Sequence, residues 1–250
     1  MVRTLKLTLA YDGTAYAGWQ LQPGEPTVQG VLEAAMERIT GARGRSLASG
    51  RTDAGVPALA QVVALRTESQ LAPAVLRRAL NANLPDDVAV LDVLEVDRSF
   101  HPIRDARGKR YRYLLHDGPI RDVFRRAYAW HFPSGLDAEA MDRAAAALHG
   151  CHDFRSFQTT GAPRRSTVRT IREIWVRRRP APEEHLVVLE VEADGFLYNM
   201  VRAIVGTLVE VGRGAEPETW PGEVLAAADR TRAGPTAPPE GLFMVCVRYG

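Results

Sequence analysis

From Thr4 to Tyr11 polar and apolar residues alternate, the period-two pattern of a half-buried strand, and Asp12-Gly13 breaks it. Val28, Val31, Leu32, Ala35 and Ile39 then recur at helical spacing. They predict a helix over 28–39 with Thr27 as its N-cap. Arg45 to Ser49 and Gln61 to Leu65 read as strands, Pro73 to Leu80 as a helix, and Val88 to Val96 as a strand. The order β-α-β-β-α-β is the split, ferredoxin-like arrangement.

The second half repeats the theme loosely. Arg110 to Leu115 reads as a strand and Asp137 to Leu148 as an alanine-rich helix. Thr167 to Arg177 and Leu186 to Ala193 suggest an antiparallel pair around Pro180-Ala181-Pro182. Tyr198 to Val211 is an apolar helix and Leu242 to Val247 a last strand, with Pro235 to Pro239 as a loop before it. The expected fold class is α+β: two ferredoxin-like α/β halves with mostly antiparallel sheets, meeting near 98–108. The expected domains are 1–104 and 105–250. No short-period repeat or low-complexity segment interrupts the pattern.

The 250 residues, 46% hydrophobic and 25% charged, suit a soluble globular protein. No apolar run approaches the roughly 18 residues of a membrane helix. The alternating start reads as a strand, not a signal peptide, so a cytoplasmic location is the default expectation and no membrane partner is expected. Cys151 and Cys246 form neither a CxxC pair nor a metal-spaced cluster and read as plain buried thiols. No metal site is expected.

The net charge is only +2, but it is unevenly spread. Between 101 and 130, eight basic side chains (Arg104, Arg107, Lys109, Arg110, Arg112, Arg121, Arg125, Arg126) face three acidic ones. Between 161 and 180, seven arginines, Arg164 and Arg165 among them, face Glu173 alone. Such local excesses are the footprint of a phosphate-binding face, or else of two solvated faces. The bias to arginine suits RNA, and a GC-rich genome would produce it too.

The densest chemical signal is Ser49-Gly50-Arg51-Thr52-Asp53-Ala54-Gly55-Val56, set between two strand candidates. Glycines at 50 and 55 permit a backbone path that ordinary residues resist, and such a loop can hold one carboxylate in a fixed direction. An aspartate in a glycine-rich turn also commonly satisfies its own backbone.

This motif resembles the signature of the tRNA pseudouridine synthase A family. The resemblance continues in order through Tyr11-Asp12-Gly13-Thr14-Ala15-Tyr16-Ala17-Gly18-Trp19-Gln20, Thr27-Val28-Gln29-Gly30-Val31-Leu32-Glu33, Asn81-Ala82-Asn83-Leu84-Pro85 and Phe100-His101-Pro102. It runs on through Lys109-Arg110-Tyr111-Arg112-Tyr113, Asn199-Met200-Val201-Arg202-Ala203-Ile204-Val205-Gly206 and Glu240-Gly241-Leu242-Phe243. Blocks in this order span nearly the whole chain. The resemblance implies the pseudouridine synthase fold with a cleft between its halves. It also implies isomerisation of uridine to pseudouridine at positions 38, 39 and 40 of the tRNA anticodon stem-loop, and a homodimer that holds tRNA.

The same resemblance assigns roles. Asp53 is the expected nucleophile, and Arg51 flips the base and holds RNA. Tyr111 stacks on the uracil and helps remove the C5 proton. Arg202, a cation in an apolar helix that needs a counter-charge, is the expected partner that keeps Asp53 ionised. RNA contacts are implied at Asn83, Phe100, His101, Arg104, Arg110, Arg164 and Arg165. The isomerisation oxidises nothing, so no cofactor is expected. His101 and Trp19 are as readily packing residues.

Two positions depart from the family pattern. Pro57 stands where relatives carry histidine, and Arg104 is displaced by one residue behind Ile103, which turns a side chain to the other side of an extended segment. Two other readings remain on sequence grounds. One is an RNA-binding protein without catalysis, which leaves Asp53 unexplained. The other is a glycoside-type hydrolase, which needs a second carboxylate that the neighbourhood of Asp53 does not supply.

Overall fold

The computed structural model describes residues 2–159 and 166–250 and divides into two compact units. The first comprises residues up to Arg107 together with Phe243–Gly250; the second is Gly108–Leu242. The linear division at 104/105 assigns the last strand to the second domain, whereas its contacts place it in the first unit.

In the first unit the chain runs β1 (Arg3–Tyr11), α1 (Val28–Thr40), β2 (Ser46–Ala48), β3 (Ala58–Thr67), α2 (Pro73–Asn81) and β4 (Val88–Val96). Strand β1 lies between β3 and β4, antiparallel to both. Its alternation has the predicted consequence: Leu5, Leu7 and Leu9 are fully buried and Tyr11 nearly so. Strand β2 pairs with the Val63–Leu65 stretch of β3. The final strand, β10 (Leu242–Tyr249), meets β3 in parallel at Ala58. The sheet order β4-β1-β3-β2 is the ferredoxin-like one. Helix α1 starts where Thr27 accepts a hydrogen bond from the Gly30 N–H (3.2 Å) and stops at Gly41, whose φ of 70° is left-handed. Lys6, Phe100 and Tyr249 form one cluster, with the Lys6 ammonium 4.6 Å from the Tyr249 ring centroid.

The second unit contains β5 (Ala106–His116, from Gly108 onward), β6 (Trp130–His131), α3 (Ala138–Ala145), β7 (Gly150–Asp153), β8 (Val168–Arg178), β9 (Leu186–Ala193), α4 (Met200–Gly212) and α5 (Trp220–Ala227). Its sheet has the order β5-β9-β8-β7, antiparallel throughout, with β6 a short parallel addition to β5. The expected α+β class with mostly antiparallel sheets is what the structure has. Short β6, β7 and helix α5 have no clear periodicity in the sequence. Helix α5 carries Pro221 in its first turn, a position that proline tolerates, and Gly222 beside it obscures the pattern. Asp137 caps α3 through the Ala140 N–H (2.9 Å), and the last predicted turn is a 3-10 helix, Ala146–Leu148. The cysteines differ from expectation: Cys151, on the short edge strand β7, is exposed and Cys246 partly so.

Nonlocal pairing absorbs much of the basic excess. Arg110 on β5 donates to Glu192 (3.0 Å) and Glu190 (3.1 Å) on β9, and to Glu173 on β8. Glu190 and Glu192 are 6% and 8% exposed. Burial opposes the charge of Arg110, and the carboxylates of Glu192, Glu190 and Glu173 outweigh it, so its pKa rises. Arg110→Ala leaves two sequestered carboxylates short of their cation. Chemical denaturation is expected to show a loss of about 3 kcal/mol, the low end for a broken buried pair because the guanidinium keeps some water.

Asp117 is 5% exposed and accepts two hydrogen bonds from Arg178 (2.9 and 2.7 Å) and one from the Leu136 N–H (2.8 Å). Burial pushes its carboxyl up, but Arg178 and the Leu136 amide more than offset it and hold it below the usual carboxylate range. Stability from this ionised group is full above the unfolded pKa of about 3.9 and is lost as pH falls through the lower folded value. Asp117→Asn is therefore expected to cost about 2 kcal/mol near neutrality. The gap from wild type should narrow below about pH 4 in acid-denaturation curves.

Candidate active site

Asp53 lies in the loop between β2 and β3 of the first unit, and the loop is fixed along its length. At its start the Ser49 N–H donates to the Val62 carbonyl (2.8 Å), and the Ser49 hydroxyl donates to Gln61 Oε1 (2.7 Å). Gln61 Nε2 returns to the Gly50 carbonyl (2.7 Å). Thr52 Oγ1 shares a hydrogen bond with the buried Tyr11 hydroxyl at 2.8 Å. Burial pushes the Tyr11 phenol up to about 12, despite its hydrogen bonds to Thr52 and Gln61, so it stays protonated. At the loop's end the Val56 N–H closes a turn on the Asp53 carbonyl (3.2 Å), and Gly55 adopts a φ of 78°.

A second segment, 12–19, lies backbone to backbone against this loop. The Trp19 N–H donates to the Thr52 carbonyl (3.1 Å), and the Gly55 N–H to the Tyr16 carbonyl (3.3 Å). A Cβ on Gly18, whose φ is 94°, would stand 2.6 Å from the Thr52 carbonyl oxygen. One on Gly13 would stand 2.3 Å from that of Val56. Both glycines are therefore needed for close approach, which no side chain permits. Trp19 is 2% exposed, its ring tilted against that of Tyr11 at 6.2 Å. The Tyr16 hydroxyl donates to Asp87 (2.6 Å). Burial, and the Asp87 carboxylate after it, hold that phenol far above its ordinary range.

Asp53 is half-buried on this support, and Arg51 is exposed two residues before it. Asn83 is exposed, and its amide donates to the Ala79 carbonyl (2.9 Å). Phe100 packs on Tyr249 with ring centroids 5.3 Å apart. His101 is folded into its own turn, with Nδ1 accepting from the Ile103 and Arg104 amides (3.3 and 3.2 Å). Arg104 is held by Asp105 (2.9 Å) and the Ser99 carbonyl (2.7 Å).

In the second unit Tyr111 is the β5 residue opposite Val191, 9% exposed, with its ring edge-on to Phe196 at 5.1 Å. Arg202 sits in the first turn of α4. Its Nε donates to the Ala237 carbonyl (2.7 Å), and Nη1 to Asn199 Oδ1 (3.1 Å). Asn199 stands before the helix at φ 58°, a left-handed conformation asparagine tolerates, and its amide donates to Thr159 (3.0 Å). Gly206 lets the helix approach the 235–237 loop, since a Cβ there would overlap the Pro235 carbonyl. Arg110 belongs to the glutamate cluster described above. Arg164 and Arg165 lie outside the described residues.

Tyr11, Gly13, Gly18 and Thr52 stand inside the motif blocks and Gln61 outside them, and only the folded chain shows that these five residues support the loop. Among the described residues no group of three or more His, Cys, Asp or Glu is placed to hold a metal ion. No helix among them is long and apolar enough to cross a membrane. What the loop offers chemically is a half-buried carboxylate, Asp53, on a backbone held by hydrogen bonds, two residues after the exposed Arg51.

A family model described as tRNA pseudouridine synthase matches residues 8–103 and 144–250. A Moorella thermoacetica protein named tRNA pseudouridine synthase A is 48% identical over 248 residues, covering 98% of this chain and 99% of that protein. One of the same name from Myxococcus xanthus is 46% identical over 245 residues, covering 98% and 91%. A solved H/ACA RNP structure bound to a substrate RNA containing 2′-deoxyuridine is similar at 14% identity and a TM-score of 0.36, over 97% of this chain and 47% of that one. That likeness is too loose to carry an argument. Matched by the family model over most of its length and by those relatives from end to end, the chain belongs to the tRNA pseudouridine synthase A family of isomerases.

Proposed function

We propose that this isomerase converts uridine to pseudouridine at positions 38, 39 and 40 of the tRNA anticodon stem-loop, with the Asp53 carboxylate as nucleophile. The observation that carries the reading is the 49–57 loop. It is braced at both ends by hydrogen bonds and pressed against segment 12–19, so it holds the backbone of half-buried Asp53 in one place.

The reaction breaks the C1′–N1 bond of a uridine and forms a C1′–C5 bond with the same uracil. The C5 hydrogen leaves as a proton and N1 gains one. Substrate and product have the same composition, so a nucleophile and proton transfer suffice. A base in a stem must leave the stack to be reached. Arg51, exposed beside Asp53, fills the vacated place and touches phosphate. Tyr111 supplies an aromatic face for the uracil and accepts the C5 proton, and Arg202 is the cation that serves the reaction. Asn83, Phe100, His101, Arg164 and Arg165 contact RNA. Arg104 and Arg110 are committed to carboxylates and are left out of this reading. The working form is a cytoplasmic homodimer whose two chains share one tRNA.

The test is incubation of the protein with unmodified tRNA transcripts carrying uridine at 38, 39 or 40, followed by carbodiimide labelling and primer extension. Pseudouridine is expected at those positions and at no uridine outside the anticodon arm. RNA binding with no product would return the reading to a non-catalytic RNA-binding protein. Sedimentation of a fully active monomer would overturn the dimer.

A further inference from the structure

The second unit holds a cavity of about 320 Å³ that no residue assigned above lines. Its walls include His116, Arg121, Arg126, Trp130, His131 and Glu240. We propose that this cavity and the loop at its mouth, 118–126, hold one unpaired nucleotide of the bound RNA away from the reacting uridine. Its flanking phosphates lie on Arg121 and Arg126, and its base lies among Phe124, Trp130 and Glu240. The inference rests on the reading that RNA is the substrate.

The loop is built in advance. One oxygen of Asp122 accepts the Phe124 and Arg125 amides (2.9 and 3.2 Å), and the other accepts the Arg125 guanidinium (2.8 Å). Arg125 also reaches Glu183 (2.5 Å). Asp122 and Arg125 therefore neutralise each other and set the loop's shape. Arg121 and Arg126 remain exposed, and neither has an ion-pair partner among the described residues. Arg126 is steadied by a hydrogen bond to the Val123 carbonyl (2.7 Å), which leaves most of its donor fork for a ligand.

The apolar side chains of this loop face water. Phe124 is 87% exposed and Ile120 80% exposed. Large apolar groups left in solvent together mark a binding surface. An open aromatic ring between two arginines is the combination that binds unpaired nucleic acid, by stacking on a base while cations follow the backbone. The cavity beneath supplies the rest: the Trp130 indole, and the Glu240 carboxylate as an acceptor for the donor edge of a base. Its volume is at the lower end for small-molecule pockets, roughly 300 Å³ upward, which suits one base and its ribose. A second copy of the chain fits this surface less well. A two-fold contact repeats the same patch on both sides and so brings its arginines toward their own copies, whereas a polyanion matches them.

The test uses the full chain and unmodified tRNA, with affinity measured by filter binding across a salt series and turnover measured alongside. Phe124→Ala is expected to raise the tRNA Kd about tenfold, as loss of one stacked base does. The double variant Arg121→Ser/Arg126→Ser should also weaken binding about tenfold and flatten the log Kd against log salt slope by about 1.4, two single-strand phosphate contacts. KM should rise with Kd while kcat at saturating tRNA is unchanged. Arg121→Lys should keep the slope. All these side chains are exposed, so folding is not at stake. Wild-type affinity and slope in both variants would overturn the proposal. So would a change in sedimentation of Phe124→Ala with tRNA affinity intact, which would make the loop a contact between copies. Failure of wild type to form pseudouridine would count against the catalytic reading alone, because the binding arm is read independently.

Discussion

Asp53→Ala is expected to lower pseudouridine formation by at least about 10⁴-fold while leaving tRNA affinity within a few-fold of wild type. Losing a nucleophile removes the step itself, and losses of that order or more accompany such deletions. Binding should survive because a carboxylate repels phosphate and contributes nothing favourable to the encounter. The fold should survive too. Asp53 is half-buried, and Ser49, Gln61, Thr52 and Tyr11 brace the loop through hydrogen bonds that the substitution leaves in place. Carbodiimide mapping of product and filter binding of the same tRNA check both halves. A variant that loses binding and turnover together would show Asp53 to be a structural residue.

The second large effect is expected away from the charged groups. Gly18→Ala places a Cβ 2.6 Å from the Thr52 carbonyl oxygen and 3.1 Å from the Asp53 carbonyl carbon, at a φ of 94°. Either the loop moves or segment 12–19 does. The strained backbone and the overlap together cost about 3 kcal/mol. Displacing the carboxylate by a fraction of an ångström to an ångström costs about 100-fold in kcat. Gly55→Ala is the control. Its φ of 78° also disfavours a side chain, but nothing lies within 4 Å of the new Cβ. It should lose only about 1 kcal/mol and keep most of its turnover. Equal losses in the two variants would mean that backbone strain, not close approach, governs the loop.

The contrast shows what was legible in the chain. Element type followed from periodicity because β1, α1, β9 and α4 have clean patterns: Leu5, Leu7 and Leu9 went inward as alternation requires. The loop around Asp53 was legible as a motif because its residues are consecutive. The brace was not. Tyr11 and Gln61 touch the loop only because β1 and β3 are neighbours, and nothing in the spacing of 11, 52 and 61 reveals it. The electrostatics are only partly legible for the same reason. Counting along the chain made 101–130 strongly basic, yet Arg110 and Arg112 face Glu190 and Glu192, two carboxylates hidden in the apolar run of β9. Cross-strand pairs are contacts of register, and register is set by folding. The linear domain boundary shares this weakness, since β10 is last in sequence but pairs with β3.

Tritium at C5 of uridine gives the most direct measurement of the central claim, that the ionised oxygen of Asp53 drives the chemistry. Forming the C1′–C5 bond displaces that atom into water whatever the order of the earlier steps. In single turnover with saturating enzyme, wild type is expected to release the tritium of the target uridines completely. Asp53→Asn keeps the shape of the side chain and loses the charge. It is expected to bind the same tRNA and release nothing above background. Release by Asp53→Asn within about tenfold of the wild-type rate would contradict the account.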